Sequence, residues 1–537
     1  MELVVQVISW EALAAALEVR VGGVGLLVPR RPEGGWWSEA AAWQTAARRQ
    51  GVKFYLVWDR LVEEGERPRA LEMLAAAARM GPEALVLRDL GICRQAARDY
   101  PGLPIHGAGS WGCHNSWGLR QAEVLRFRRV VVEAPLSLKD LALMRRQSSL
   151  PLEVVLPPRC PGFPGLCLLQ EYLGINCASC GGYLAPALNP PAAMPAPWEM
   201  LPGLSRLGVE AVQVGGLFAK GESLQQIVRL YQAAGEASPA GGSQVPAARE
   251  VWAAWEESFR GEFKKKAEGG GKESPEREAA RRGPSRPRPQ PGLQSGGNRL
   301  WLEARGYGEA AALAREWRGP LVVQLTPENY SAFLPDYRRW NPRRLIWRLP
   351  PVIRESALSF YHKAMETLGQ GGYTRFVAGD WGAVALARDL GGEVYGDQTL
   401  GVRNSWALTL ARELGVHKIC LPPGRRPEDW QELLRSRPRS FWGYLYQVPA
   451  LAVWPREAAS HLPVGRGPSG EKLRWVTEGD LALLCKRLPE DLEDLGGWLQ
   501  EQGVAPLVLA LPRSGLPRDR VPALAARRSE RRGRPRV

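Results

Sequence analysis

Short apolar runs alternate with amphipathic stretches along the chain at a regular spacing. In the first half the runs are Leu3–Val7, Val24–Val28, Lys53–Trp58, Ala84–Leu87, Pro104–His106, Arg129–Val132, Leu152–Leu156 and Glu210–Val214. They are rich in valine and leucine and bounded by turn formers, as buried strands are. Between them Glu11–Leu17, Ala40–Arg49, Ala70–Arg79 and Ser137–Arg146 repeat apolar residues every three or four positions, which predicts helices. Strand–helix alternation predicts a parallel sheet, and eight such units predict a closed (β/α)8 barrel. The pattern restarts later with Leu300–Leu302, Leu321–Gln324, Leu345–Arg348, Arg375–Val377, Glu393–Tyr395, Lys418–Leu421, Trp442–Tyr446 and Pro506–Leu511. The expected fold class is therefore α/β, with two TIM-like (β/α)8 barrels in tandem.

The two halves also share residues. Arg375-Phe376-Val377-Ala378-Gly379-Asp380-Trp381-Gly382 parallels Leu85 to Gly91, and Asn404-Ser405-Trp406 repeats Asn115-Ser116-Trp117. Shared tripeptides in the same relative place argue for an internal duplication. Between the halves, Val251–Lys266 is helical in pattern. Gly269–Gly297 then combines glycine, proline, serine and arginine with almost no apolar residues, the composition of a flexible linker. The domain layout is a barrel over 1–240 with a cysteine loop at 157–189, a helix and basic linker over 241–298, a second barrel over 299–513, and a basic tail over 514–537. Cleavage within the linker is expected to release two stable halves.

Composition narrows the function classes. No apolar run is long enough to span a membrane, and the start MELVVQVISW lacks a basic leader and reads as a first strand. Eight cysteines in 537 residues are not a disulfide scaffold, so a reducing cytoplasm is the expected compartment. The net charge of +15 is concentrated partly in the linker and in the tail ARRSERRGRPRV. Contact of both with RNA phosphates is one reading and simple solvation the other. Trp36, Trp37 and Trp198 fall in loop-like stretches, where they could stack on bases or serve packing.

Cys160, Cys167, Cys177 and Cys180 crowd into one glycine- and proline-rich loop after the seventh strand. In a barrel that loop lies on the face where chemistry occurs. The closing pair, Cys-Ala-Ser-Cys, has a spacing that puts two thiolates on one metal or cluster. A 4Fe–4S cluster and a zinc ion both suit the set. The other cysteines, Cys93, Cys113, Cys420 and Cys485, read as packing residues. His106 ends a strand on the active face and is the proton-transfer candidate among five histidines. Asp89 and Asn115 follow strands, as do Asp380 and Asn404. They are candidate catalytic groups, but residues of these types also cap helices. No Ser-His-Asp motif, HExxH motif or P-loop is evident.

The stretch Leu152–Asn189 resembles the signature of the collagenase-like peptidases, peptidase family U32. Glu153-Val154 ends the strand motif, Cys160 and Cys167 carry the family spacing, and Leu168-Leu169 follows. Ala84 to Gly91, Pro104-Ile105-His106, Asn115, Arg128 to Val131 and Leu207 to Glu210 resemble further family motifs. Where the family continues Lys-Ile-Glu-Gly-Arg, this chain has Gln213-Val214-Gly215-Gly216-Leu217 and lacks the acidic and basic residue. The stretches Arg348 to Ile353 and Tyr395 to Leu400 resemble the second domain of long members. In that domain the counterpart of the cysteine loop, Pro449 to Arg474, has no cysteine. The resemblance implies a peptidase acting on a peptide substrate. Alternatively it implies an iron–sulfur protein for oxygen-independent hydroxylation of RNA or a quinone precursor. A non-catalytic barrel scaffold is the third expectation.

Overall fold

The computed structural model describes residues 1–132, 136–156, 167, 197–214, 221–236, 300–304, 306–421, 427–447, 450–456, 473–478, 480–486, 490–491 and 496–510. The first barrel is built from β1 (Glu2–Val7), β2 (Gly23–Leu27), β3 (Lys53–Trp58), β4 (Ala84–Leu87), β5 (Ile105–Gly107), β6 (Arg129–Val132), β7 (Leu152–Leu156) and β8 (Ala211–Val214). Each strand pairs in parallel with the next, and β8 pairs with β1 to close the ring. The helices are α1 (Trp10–Glu18), α2 (Trp36–Arg49), α3 (Arg67–Met80), α4 (Leu90–Asp99), α5 (Ser116–Val124), α6 (Leu138–Arg145), α7 (Pro197–Arg206) and α8 (Gly221–Glu236). Every strand predicted in this half is present.

Both faces of these strands are covered, which is why their sequences run apolar almost without a break. Val4, Tyr55, Val57, Val86, Val131 and Val155 point inward and form a core inside the barrel. The alternate residues, such as Val5, Phe54, Leu56, Leu85, Val130 and Val154, join the core under the helices. Helix starts follow from their caps. The Ser9 hydroxyl accepts the Ala12 amide and begins α1, and a capping box of Ser137 and Asp140 begins α6.

The second ring contains β9 (Leu300–Ala304), β10 (Leu321–Gln324), β11 (Leu345–Arg348), β12 (Arg375–Ala378), β13 (Glu393–Gly396), β14 (Val416–Cys420), β15 (Phe441–Gln447) and, after an insertion, β20 (Leu507–Ala510). The β14–β15, β15–β20 and β20–β9 pairings close it. The flanking helices are α9 (Tyr307–Leu313), α10 (Pro327–Phe333), α11 (Leu358–Gln370), α12 (Trp381–Asp389), α13 (Ser405–Glu413), α14 (Pro427–Ser436) and α15 (Gly496–Glu501). Its interior is bulkier than the first, with Trp301, Ile346, Tyr395 and Trp442 buried among smaller residues.

The insertion after β15 was not expected. Strands β16 (Ala450–Pro455), β17 (Leu473–Glu478) and β18 (Leu481–Lys486) form an antiparallel sheet, and β19 (Glu490–Asp491) pairs with the end of β15. Residues 449–474 thus contain strand where a cysteine-free loop was expected. Cys485 is buried in β18 against Val352, Val453 and Leu483. Cys93, Cys113 and Cys420 are also buried, as packing residues should be. The helix expected over 251–266, the linker and the tail lie outside the described residues.

Candidate functional site

The open end of a (β/α)8 barrel lies at the C-terminal ends of its strands. In the first barrel the cysteine loop leaves from that end, directly after Leu156, and the chain returns at α7. Cys167 is described and is partly exposed. Cys160, Cys177 and Cys180 lie outside the described residues, so the convergence of the four sulfurs is an expectation of the sequence alone. At this end Arg30 and Arg60 both pair with Glu66 in the loops after β2 and β3. Gln6 and Gln213 face inward and are buried, and the Ser110 hydroxyl donates to the Asp59 carboxylate across the loops after β3 and β5. Among the described residues no group of three or more His, Cys, Asp or Glu could hold a metal ion.

A second group of charges lies at the other end of this barrel. Arg129, the first residue of β6, donates to Glu2 at 3.0 Å and Glu153 at 3.2 Å, and also pairs with Glu210. Tyr55 donates to Glu2 at 2.8 Å, and Lys53 lies 3.1 Å from the same carboxylate. Burial opposes the Arg129 charge, yet Glu210, Glu153, Tyr55 and Glu2 hold its pKa well above the usual value. Burial, and then Glu2, push the Tyr55 hydroxyl up. Ionic layers at the N-terminal end serve barrel stability.

His106 belongs to this layer. It was expected to end a strand at the mouth. Instead it is the middle residue of β5, in register with Arg129 and 5.6 Å from the Tyr55 ring. Burial, then Arg129 and Lys53, lower its pKa to about 3. A histidine so depressed stays neutral near pH 7 and is a weak base, which suits neither half of acid–base catalysis.

Asp89 and Asn115 are placed together with Asp380 and Asn404, but at the contact between the barrels. Each caps a helix: Asp89 accepts the Ile92 amide, Asn115 that of Gly118, Asp380 that of Ala383 and Asn404 that of Ala407. These helices pack in crossed pairs, α4 on α13 and α5 on α12. The Asn404 amide donates to Val62 O at 2.8 Å and to Asp89 Oδ2 at 3.0 Å. Reciprocally, the Asn115 amide donates to Ile353 O at 2.7 Å. The amide and hydroxyl of Ser405 both donate to Glu64, and those of Ser116 to Glu355. Glycine permits the crossings. A Cβ on Gly91 would stand 2.4 Å from Asn404 Oδ1, and one on Gly382 would stand 2.4 Å from Asn115 Oδ1. Asp89 is 1% exposed and Asn115 0%, and both lock the seam.

Sequence reasoning missed a polar group in the second barrel. Glu303, Gln324, Arg348, Asp397 and Tyr444 come from five strands or strand ends and converge at that barrel's C-terminal mouth. Arg348 and Asp397 fall in the two stretches that carry the resemblance in this half, which was the available signal.

Three comparisons bear on identity. Residues 35–185 match the model of peptidase family U32. The tRNA hydroxylation protein P of Escherichia coli (strain K12) is 27% identical over 130 residues, 23% of this chain. The chain spans only 28% of that relative's length. A solved U32 peptidase is 16% identical and has a TM-score of 0.26, covering 29% of this chain and 69% of that one. Thiamine phosphate pyrophosphorylase from Pyrococcus furiosus is 11% identical with a TM-score of 0.29, covering 43% and 96%. The fold assignment rests on the strand order above and not on these likenesses.

Proposed function

We propose that this chain, whose first barrel carries a peptidase family U32 segment, takes part in hydroxylation of RNA, with the cysteine loop holding an iron–sulfur cluster. The observation that carries the reading is where that stretch departs from the barrel. It leaves the C-terminal end of β7, at the mouth where a barrel presents its reactive groups. The similarity to a tRNA hydroxylation protein over 130 residues supports the choice of RNA. The net charge of +15 supports it as well, since phosphate contacts require cations.

The donor set fits the group. Four cysteines in one glycine- and proline-rich stretch match the ligand number of a 4Fe–4S cluster, and zinc would accept the same donors. Cys160, Cys167, Cys177 and Cys180 would hold it, and the group would supply electron transfer. The chain's own residues have simpler duties. Gln6 and Gln213 face inward and are buried below the mouth. The ionic layer around Arg129 fixes the strands that carry them. Burial, then Arg129 and Lys53, lower the pKa of His106, which makes it a weak base.

The peptidase reading rests on the family's description. Anaerobic purification with iron and sulfide assays decides between the readings. An iron- and sulfide-containing protein without gelatinase activity supports hydroxylation. A metal-free protein that cleaves gelatin supports the peptidase, and a metal-free inert one supports the scaffold.

A further inference from the structure

The two barrels reach their third strands differently. In the first, α2 runs on to Arg49 and residues 50–52 lead directly into β3. In the second, α10 stops at Phe333, before Pro335, and residues 334–344 pass through two short 3-10 turns before β11. One side of this segment is anchored. The Trp340 indole donates to the Tyr307 hydroxyl at 2.8 Å, the Tyr337 hydroxyl to Thr367 O at 3.1 Å, and the Tyr373 hydroxyl to Trp340 O at 3.2 Å. The Tyr337 ring also packs on Phe333 and Tyr373. The other side carries Arg338, Arg339 and Arg343, all exposed. Arg339 keeps 82% of its side chain in solvent.

A neighbouring loop enlarges the patch. Arg315 and Arg318 lie just before β10, whose Leu321 pairs with Leu345 of β11, and both are exposed. Arg344 donates to Trp317 O and so ties the two loops together. Burial and then the nearby Arg318 charge lower the Arg344 pKa, so like charges stand close together here. The acids of these two segments are Glu316 and Asp336. Asp336 is taken up by Arg339 at 2.9 Å and by the Tyr307 hydroxyl at 2.8 Å. Arg315, Arg318, Arg338 and Arg343 form no ion pair among the described residues. A helix C-terminus attracts cations within its last turn, which accounts for Arg315 beside α9. It does not account for Arg338, Arg339 and Arg343, which lie beyond the end of α10.

We infer that this face of the second barrel binds RNA through its phosphates. Clustered like charges with few counterions repel one another, and a polyanion relieves that repulsion. A guanidinium presents paired donors in a plane that matches phosphate oxygens. The anchored aromatic side holds the segment in place before binding, which lowers the cost of ordering it. Such contacts fix a backbone and do not read a sequence. The patch lies at the N-terminal end of its strands, whereas the cysteine loop leaves the C-terminal end of β7. It therefore holds the body of an RNA and not the reacting base. The choice of RNA among polyanions rests on the hydroxylation reading; the arginine surface does not.

Fluorescence anisotropy with the full chain tests the surface, using labelled tRNA, an unrelated RNA hairpin and a polyglutamate peptide as probes. The test variant combines Arg338→Ala, Arg339→Ala and Arg343→Ala. A control variant removes the same charge from the first barrel through Arg49→Ala, Arg79→Ala and Arg128→Ala, all at exposed positions. Surface changes of this kind leave Tm nearly unchanged. The test variant should bind both RNAs about tenfold or more weakly, with a log Kd–log salt slope shallower by about two to three. The control variant should bind close to the wild type. If the triple change lowers Tm, Arg338→Ala with Arg343→Ala decides, since it keeps the Arg339–Asp336 pair, and its slope should fall by about one to two. The inference is overturned if the wild type binds neither RNA, if test and control variants weaken equally, or if the slope is unchanged. It is also overturned if the test variant loses polyglutamate binding and keeps RNA. RNA binding that needs these arginines, in a protein whose deletion leaves tRNA nucleosides unchanged, would keep this inference and remove hydroxylation. A hydroxylated nucleoside that depends on the gene, with RNA binding intact in the test variant, would do the reverse.

Discussion

Replacing Asn404 measures how much the seam between the barrels contributes. Its side chain makes three contacts: it accepts the Ala407 amide and donates to Val62 O and to Asp89 Oδ2. In Asn404→Ala the lost cap costs about 0.5–2 kcal/mol. The buried Val62 carbonyl left without its donor costs about 1–3 kcal/mol. Asp89 keeps its bonds from Val62 N and Ile92 N but loses a charge-assisted one, worth about 1.5–3 kcal/mol. These contributions overlap, and a total of about 3–5 kcal/mol is the expected loss. Asn404→Asp separates the cap from the seam. Aspartate caps as well as asparagine, but it would set a second carboxylate against Asp89 at about the present 3.0 Å. Urea unfolding followed by tryptophan fluorescence should therefore show both variants strongly destabilised. Asn115→Ala should cost less than Asn404→Ala, because among the described residues its amide donates to Ile353 O and to no carboxylate. An Asn404→Asp protein as stable as the wild type would refute the reasoning.

Further outcomes follow from the same structure. A protease site placed within residues 269–297 should be cut without separating the halves. They are expected to co-elute on gel filtration until denaturant is added, and separation in native buffer would contradict the seam. Burial pushes the Asp380 carboxyl up to about 6, so the folded state holds that proton more tightly than the unfolded chain does. Its contribution is then full below about pH 4 and is lost as pH rises towards 6. Asp380→Asn should flatten that part of the Tm–pH profile, and an unchanged profile would count against it. Replacing any of Cys160, Cys167, Cys177 or Cys180 by serine should abolish iron retention, while Cys420→Ser and Cys485→Ser should retain it. Equal iron in all six proteins would remove the cysteine loop from the account.

The strands were legible because burial on both faces writes a plain apolar run into the sequence, as in Leu152–Leu156 and Leu321–Gln324. The repeat of Asn-Ser-Trp was legible too, but its meaning was not. Capping is local, and the sequence showed that Asn115 and Asn404 could cap. That Asn404 also crosses to Asp89 is a tertiary fact spanning 315 residues. The same crossing explains why cleavage of the linker should not release the halves, contrary to expectation. His106 was misplaced by one layer, since the three-residue β5 leaves little to distinguish a strand's middle from its end. The inserted sheet was hidden because β16 and β18 are mostly apolar runs without the helical spacing that marks a new βα unit. The mouth cluster of the second barrel joins Glu303 to Tyr444 across 141 residues, which no short motif records.

The central claim is that the first barrel serves RNA hydroxylation through its cysteine loop. Mass spectrometry of nucleosides from purified tRNA, taken from cells with and without this gene, tests it most directly. A hydroxylated nucleoside should disappear on deletion, return with the wild-type chain and stay absent with Cys177→Ser. An identical nucleoside profile in all of these cells would contradict the account.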